Sequence, residues 1–211
     1  MVKFKNYKTV LLGMNGTGKT EFGKWLCRTQ FKRPVWFLVN HDDLKGMPKN
    51  VVIAFSETKT IKELNQVVES CMKLAEENKI DAIIIDEADL FLDNNADIDK
   101  YQAIRELVIL QRHKNLSVVV MSRRPANLPT KLYETSDNVV IFASPRSDNV
   151  DRKFKSLDRD LPDMVSTLQK GDFRYVIFTV GNKPSFYNPI PYKETQKVKG
   201  GKEENGNSIK S

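Results

Sequence analysis

Cysteine and histidine are scarce, with two of each in 211 residues. Cys27 and Cys71 lie far apart and share no metal-type spacing with His41 or His113, which argues against a zinc module. Both cysteines fall on apolar faces of expected helices, so buried free thiols are expected rather than a disulfide. Long apolar runs are missing as well. The longest, such as Val35–Val39 and Ala82–Ile85, fall far short of the roughly 18 residues a membrane span needs. The N-terminal MVKFKNYK has no apolar signal core, so a cytosolic location is expected. Neither an internal repeat nor a second domain is evident. From about Tyr192 apolar residues almost vanish, and Lys, Glu, Gly, Asn and Ser dominate. Residues 1–191 therefore read as one domain and 192–211 as a disordered polar tail. The formal charge of +7 and a pI near 9.3 are compatible with a polyanionic partner.

The most informative stretch is Gly13–Thr20, GMNGTGKT, which meets G-x-x-x-x-G-K-[ST] at every fixed position. A short apolar run, Tyr7–Leu12, precedes it and reads as a buried strand. Phe22, Trp25 and Leu26 follow at helical spacing within Glu21–Gln30. A strand, a glycine-bearing turn and a helix N-terminus aim backbone amides at one point and so attract phosphate. The candidate nucleotide-binding residues are Gly13, Met14, Asn15, Gly16, Thr17, Gly18, Lys19, Thr20 and Glu21. Lys19 would reach the β- and γ-phosphates of ATP, and the Thr20 hydroxyl would ligate Mg²⁺.

Further strands are expected at Pro34–Asn40, Val51–Phe55, Ala82–Ile85, Leu116–Met121, Asn138–Ala143 and, partly exposed, Phe173–Val180. Helices are expected at Thr60–Asn78, Ile98–His113, Val150–Leu157 and Leu161–Lys170, the last closed by Gly171. Strands alternating with helices imply an α/β fold with a mostly parallel sheet, whose ligands bind beyond the carboxyl ends of the strands. That edge should collect Gly13–Thr20, Asp86-Glu87, Ser122–Arg124 and His41–Asp43. Asp86 ends the strand Ala82–Ile85 and would hold Mg²⁺ with Thr20. Glu87 is placed to align or deprotonate an attacking water. Asp89 and Asp93 are expected to be solvated, and His41 to be a satisfied loop histidine. Phe173, Tyr175 and Phe178 form an aromatic stripe that reads as sheet packing rather than base stacking.

Two β-type runs between the loop and Asp86 leave room for an extra strand between the loop strand and the Asp86 strand. With a glutamate after the aspartate, this resembles the division of P-loop NTPases that holds RecA-like, AAA+ and FtsK/HerA-type motors. The resemblance implies a three-layer, RecA/ASCE-like P-loop NTPase with helices on both faces of the sheet. Ser122-Arg123-Arg124-Pro125 with Leu128, and the closing Leu168-Gln169-Lys170-Gly171-Asp172-Phe173, are similar to segments of FtsK/HerA-type ATPases. Over about Thr9–Val180 the chain looks most like the genome-packaging ATPases of double-jelly-roll viruses with internal membranes. In that family a glutamine usually stands where this chain has Arg123.

The resemblance implies an ATPase that moves double-stranded DNA without reading its sequence. It would work as a homo-oligomeric ring in a host cytoplasm or with a virion, beside capsid or membrane proteins. Arg123, Arg124 and Arg146 are then candidates for an arginine donated to a neighbouring subunit's phosphoryl group, alongside Lys19 and Glu87 as catalytic residues. Other readings are a FtsK/HerA-type export ATPase and a small-molecule kinase, although no phosphoacceptor pocket or arginine-bearing lid is evident.

Overall fold

A computed structural model describes residues 2–92, 100–110 and 115–190. The expected tail 192–211, Asp93 and His113 lie outside them. Among the described residues eight strands form one sheet: β1 (Lys8–Leu12), β2 (Pro34–Leu38), β3 (Val52–Phe55), β4 (Ala82–Ile85), β5 (Ser117–Ser122), β6 (Asn138–Ile141), β7 (Tyr175–Thr179) and β8 (Ser185–Tyr187). Among the described residues six α-helices accompany them: α1 (Lys19–Thr29), α2 (Ile61–Glu76), α3 (Gln102–Leu110), α4 (Thr130–Glu134), α5 (Asp148–Leu157) and α6 (Leu161–Ser166). The strand order is β3-β2-β4-β5-β1-β6-β7-β8. The first six in that order run parallel, and β7 and β8 close the far edge antiparallel.

Continuous apolar strands make sense here because both faces are covered. Val10, Leu12, Phe37, Ile83, Ile85, Val118 and Val120 belong to a core that includes side chains of α2, α3, α5 and α6. The alternate residues Leu11, Trp36, Leu38, Ile84, Val119 and Met121 pack with Phe22 and Leu26 of α1 and with Phe4. Phe22 anchors that second core, with ring centroids 5.2–5.9 Å from Tyr175, Trp25, Phe4 and Phe142. Cys27 and Cys71 are free and buried, and burial pushes the Cys27 thiol up to about 12.

Helix starts follow their local chemistry. The Thr60 hydroxyl accepts from the Glu63 amide to begin α2, and Ser147 accepts from Val150 to begin α5.

Several details differ from the sequence reading. The strand between β1 and β4 is β5, while β2 and β3 lie on β4's outer side. An extra strand is present, but it comes from after Asp86 in the chain. β7 is buried from Tyr175 to Phe178 rather than partly exposed, because β8 pairs along its outer edge. Its aromatics do not form a stripe: Tyr175 joins one core and Phe178 the other, as residues three apart on a strand must. Phe173 precedes β7 altogether. α6 stops at Ser166, since Thr167 and Leu168 donate back three residues, to Met164 and Val165. That tightening buries Leu168 and releases the chain into a turn before β7.

Candidate active site

The carboxyl ends of β1, β4 and β5 converge on a cleft of about 420 Å³. It is lined by Asn15, Gly16, Gly18–Glu21, Asn40, Asp86, Glu87, Arg123 and Phe173. The loop after β1 is tied to strands on both sides. Gly13 N–H donates to Ser122 O at 3.3 Å, and Met14 N–H to Ala143 O at 2.8 Å. Gly13 has φ +152°, and a Cβ there would stand 2.8 Å from Phe142 Cβ and 3.2 Å from Ala143 O. Only glycine fits that crossing. The Thr17 hydroxyl donates to Met14 O at 2.8 Å and braces the turn from inside.

Gly18 caps α1 in the left-handed region, φ 102°, and brings no side-chain acceptor. The first-turn amides of α1 are therefore left to an anion, with the helix dipole behind them. Lys19 is 7% exposed, and its ammonium donates to Gly13 O at 2.6 Å and Met14 O at 2.9 Å. Burial lowers its pKa to about 8, against the raising pull of Asp86 and with a further lowering push from Arg123. Asp86, Glu87, Asp89 and Arg123 all act on Lys19 through space, so both ends of the cleft share one field.

Asp86 is 6% exposed at the end of β4. Its N–H donates to Phe37 O, and its Oδ1 accepts from the Glu87 amide at 2.9 Å. Glu87 takes a left-handed backbone, φ 47° and ψ 42°, unusual for a non-glycine residue. Its carboxylate meets the Arg123 guanidinium at 2.9 Å, Oε2 to Nη2. Arg123 Nε is buried without a hydrogen-bond partner among the described residues, so that guanidinium retains donor capacity.

Asp89, expected to be solvated, is 7% exposed. Its Oδ1 accepts from the Ser122 hydroxyl at 2.8 Å and the Arg123 amide at 3.2 Å. It is a structural brace for the turn that carries the two arginines. The same turn is held from behind. The Tyr133 hydroxyl donates to Pro125 O at 2.6 Å, and Lys153 Nζ donates to Ala126 O at 2.8 Å and Leu128 O at 2.5 Å. Burial pushes the Tyr133 phenol up and the Lys153 ammonium down.

The remaining candidates stand outside the lining. Arg124 is exposed. Arg146 pairs with Asp151 at 2.7 Å, and that pairing raises its pKa. His41 stacks on Phe55 with centroids 4.1 Å apart. Met14 and Thr17 shape the loop rather than line the cleft. Two lining residues were not among the candidate site residues: Asn40, and Phe173, which the sequence reading assigned to sheet packing. Asn40 follows β2, the neighbour of β4, and that adjacency becomes visible only once strand order is known.

A family model described as ATPase family associated with various cellular activities (AAA) matches residues 9–160. The chain belongs to the AAA family. As an AAA protein it is a P-loop NTPase. No curated protein sequence matches the chain significantly. Among solved structures, this AAA domain resembles B204, the DNA-packaging ATPase from Sulfolobus turreted icosahedral virus. TM-score is 0.76 and identity 17%, covering 89% of this chain and 100% of that one. The genome-packaging NTPase B204 from Sulfolobus turreted icosahedral virus 2, in complex with AMPPCP, gives 0.73 and 17%, covering 88% and 98%. The N-terminal domain of zonular occludens toxin from Neisseria meningitidis gives 0.54 and 15%, covering 88% and 95%. At these identities the likeness is one of fold. No helix among the described residues is long and apolar enough to cross a membrane.

Proposed function

We propose that this chain is an ATP-hydrolysing motor that translocates double-stranded DNA, packaging a viral genome into a preformed capsid as a homo-oligomeric ring. The observation that carries the reading is the convergence of Lys19, Asp86, Glu87 and Arg123 on one cleft in a fold shared with packaging NTPases. Loop amides and Lys19 hold the triphosphate. Glu87 accepts a hydrogen bond from the attacking water and takes its proton. For that, Glu87 must part from Arg123, whose guanidinium then turns to phosphate oxygens, in the same subunit or a neighbour. Arg124 and Arg146, near the same edge, are the other candidates for a contact across subunits.

Among the described residues no group of three or more His, Cys, Asp or Glu could hold a metal alone. Mg²⁺ is commonly held by one or two protein oxygens, with waters and substrate phosphates completing its shell. The Thr20 hydroxyl and the Asp86 carboxylate are hard oxygen donors of the kind Mg²⁺ takes. Bound there, Mg²⁺ would neutralise charge on the transferred phosphoryl group. Basic side chains facing a ring's pore would grip DNA phosphates without reading bases. The domain would span 1–191, with capsid or membrane proteins of a virion as further partners in the host cytoplasm.

The test is ATP hydrolysis with and without duplex DNA, at low and moderate salt. A motor is stimulated by DNA, and the stimulation fades as salt rises because phosphate contacts release counterions. Turnover indifferent to DNA at every salt concentration would remove the translocation reading and leave an ATPase of another kind.

A further inference from the structure

Resting on the nucleotide reading above, we infer that Phe173 is the platform on which the purine base of the bound nucleotide stacks. The cleft is chemically lopsided. Its β4–β5 end carries Asp86, Glu87 and Arg123, which suits the γ-phosphate and the reacting water. The other end is over β6 and β7, because β1 stands between β5 and β6. From β4 to β7 is four strand spacings, about 19 Å. A nucleotide whose terminal phosphate lies at Lys19 and Asp86 therefore points its nucleoside end toward β6 and β7. Phe173 stands there, two residues before β7.

Three observations single it out. First, Phe173 is the one aromatic among the described residues that line the cleft, and at 49% exposure its ring is only partly committed to the core. Second, it lies directly against the loop: a Cβ on Gly18 would be 3.4 Å from Phe173 Cδ1, and one on Gly16 would be 3.6 Å from Lys170 Cε. The turn 170–173 thus lies across the phosphate-binding glycines. Third, Phe173 has φ 54°, a left-handed backbone that bulky residues rarely adopt. Among the described residues Phe173 belongs to neither core cluster, whereas Tyr175 and Phe142 belong to one and pair with each other. A half-exposed aromatic held at the mouth of a phosphate site offers a π-face to a base. Stacking of this kind tolerates different bases, so Phe173 supplies affinity and a preference for the larger purine surface over pyrimidines.

Binding of ATP and of inorganic tripolyphosphate to wild type, Phe173→Ala and Phe173→Tyr, measured by calorimetry with Mg²⁺, tests this. Phe173→Ala should weaken ATP about 5- to 100-fold and leave tripolyphosphate within about twofold, and Phe173→Tyr should restore ATP binding. A melting temperature near wild type for Phe173→Ala shows that the fold survives. The inference is overturned if Phe173→Ala binds ATP like wild type, or if ATP and tripolyphosphate weaken equally. Wild type that binds neither ligand would instead sink the nucleotide reading beneath it.

Discussion

Replacing Gly23 by alanine sets two effects of similar size against each other. Gly23 is buried within α1, where alanine is favoured over glycine by about 1 kcal/mol. Propensity alone therefore predicts a more stable protein. Packing predicts the reverse. A Cβ on Gly23 would stand 2.7 Å from Trp36 Cη2, 3.3 Å from Met121 Sδ and 3.4 Å from Trp36 Cζ2. Trp36 on β2 and Met121 on β5, the two strands that flank β4, are fully buried, and an indole ring cannot fold away as a lysine tip would. Overpacking of this kind costs about 1–3 kcal/mol, and a contact under 3 Å against a rigid ring belongs in the upper half. The net loss should be about 1–2 kcal/mol, or a fall in Tm of roughly 3–6 °C for a domain of this size.

The relief of strain has a direction, and it connects to the site. α1 must rise from the sheet, carrying Lys19 and Thr20 at its first turn, so ATP affinity should fall along with stability. Differential scanning calorimetry and ATP titration read the two effects. Trp36→Phe removes the ring atoms that clash, so the double variant should lose less than the sum of the single ones. A Gly23→Ala protein that melts higher than wild type, with unchanged ATP binding, would refute this packing argument.

Glu87→Gln should bind ATP as wild type does and lose turnover by at least about a hundredfold, as expected when a general base is removed; equal losses in binding and turnover would instead mark Glu87 as structural. Glu63→Gln tests the start of α2. Burial would raise the Glu63 pKa, but hydrogen bonds from Ser56, Glu57 and Thr58 outweigh it and hold the group at about 2, below its ordinary 4.5. A depressed carboxylate stabilises the fold above its unfolded pKa. That contribution should therefore be full above about pH 5 and fade as pH falls from 4.5 toward 2. The glutamine variant should be about 1–2 kcal/mol less stable at neutral pH, allowing for solvent screening, and the gap should close in acid. Lys153→Met removes the ammonium that donates to the Ala126 and Leu128 carbonyls and should cost about 1–3 kcal/mol. It should slow turnover more than it weakens ATP binding, since it acts on the arginine turn and not on the phosphate loop; an unchanged kcat would show that the turn does not need this brace.

The parts legible in the sequence are those written in local chemistry. Gly13–Thr20 carries its own turn, helix start and cation. Ala82–Ile85 announces a buried strand by its unbroken apolar run, and Asp86-Glu87 follows from where that strand must end. Strand neighbours are a different matter, because β5 reaches its place beside β1 through parallel hydrogen bonds between segments more than a hundred residues apart. No period or cap encodes that pairing. β8 escaped notice because a three-residue edge strand has no period to read. Phe173 was misplaced by its company, since alternation with Tyr175 resembles a strand until Gly171 and the left-handed turn are seen to come first.

Asp89 shows how the two kinds of information combine. By composition it is one more acidic residue after a strand, and such residues face water in most proteins. Here the Ser122 hydroxyl and the Arg123 amide both donate to its Oδ1, joining the segment after β4 to the end of β5. Tyr133 and Lys153 secure the next residues from the opposite side. Arg123 thus leaves a backbone fixed at both ends, and its freedom is confined to the side chain. In the proposed mechanism a guanidinium so anchored would exchange Glu87 for phosphate without moving the sheet. With the backbone so held, that exchange would be a change of side-chain rotamer alone. The ion pair between Glu87 and Arg123 is then the feature that distinguishes this cleft from one built with a neutral amide at position 123. Its expected signature is a Glu87-dependent change in turnover when Arg123 is replaced by glutamine, with ATP affinity held. If Arg123→Gln has the same effect in the presence and absence of the Glu87 carboxylate, the two residues act independently and the exchange does not occur.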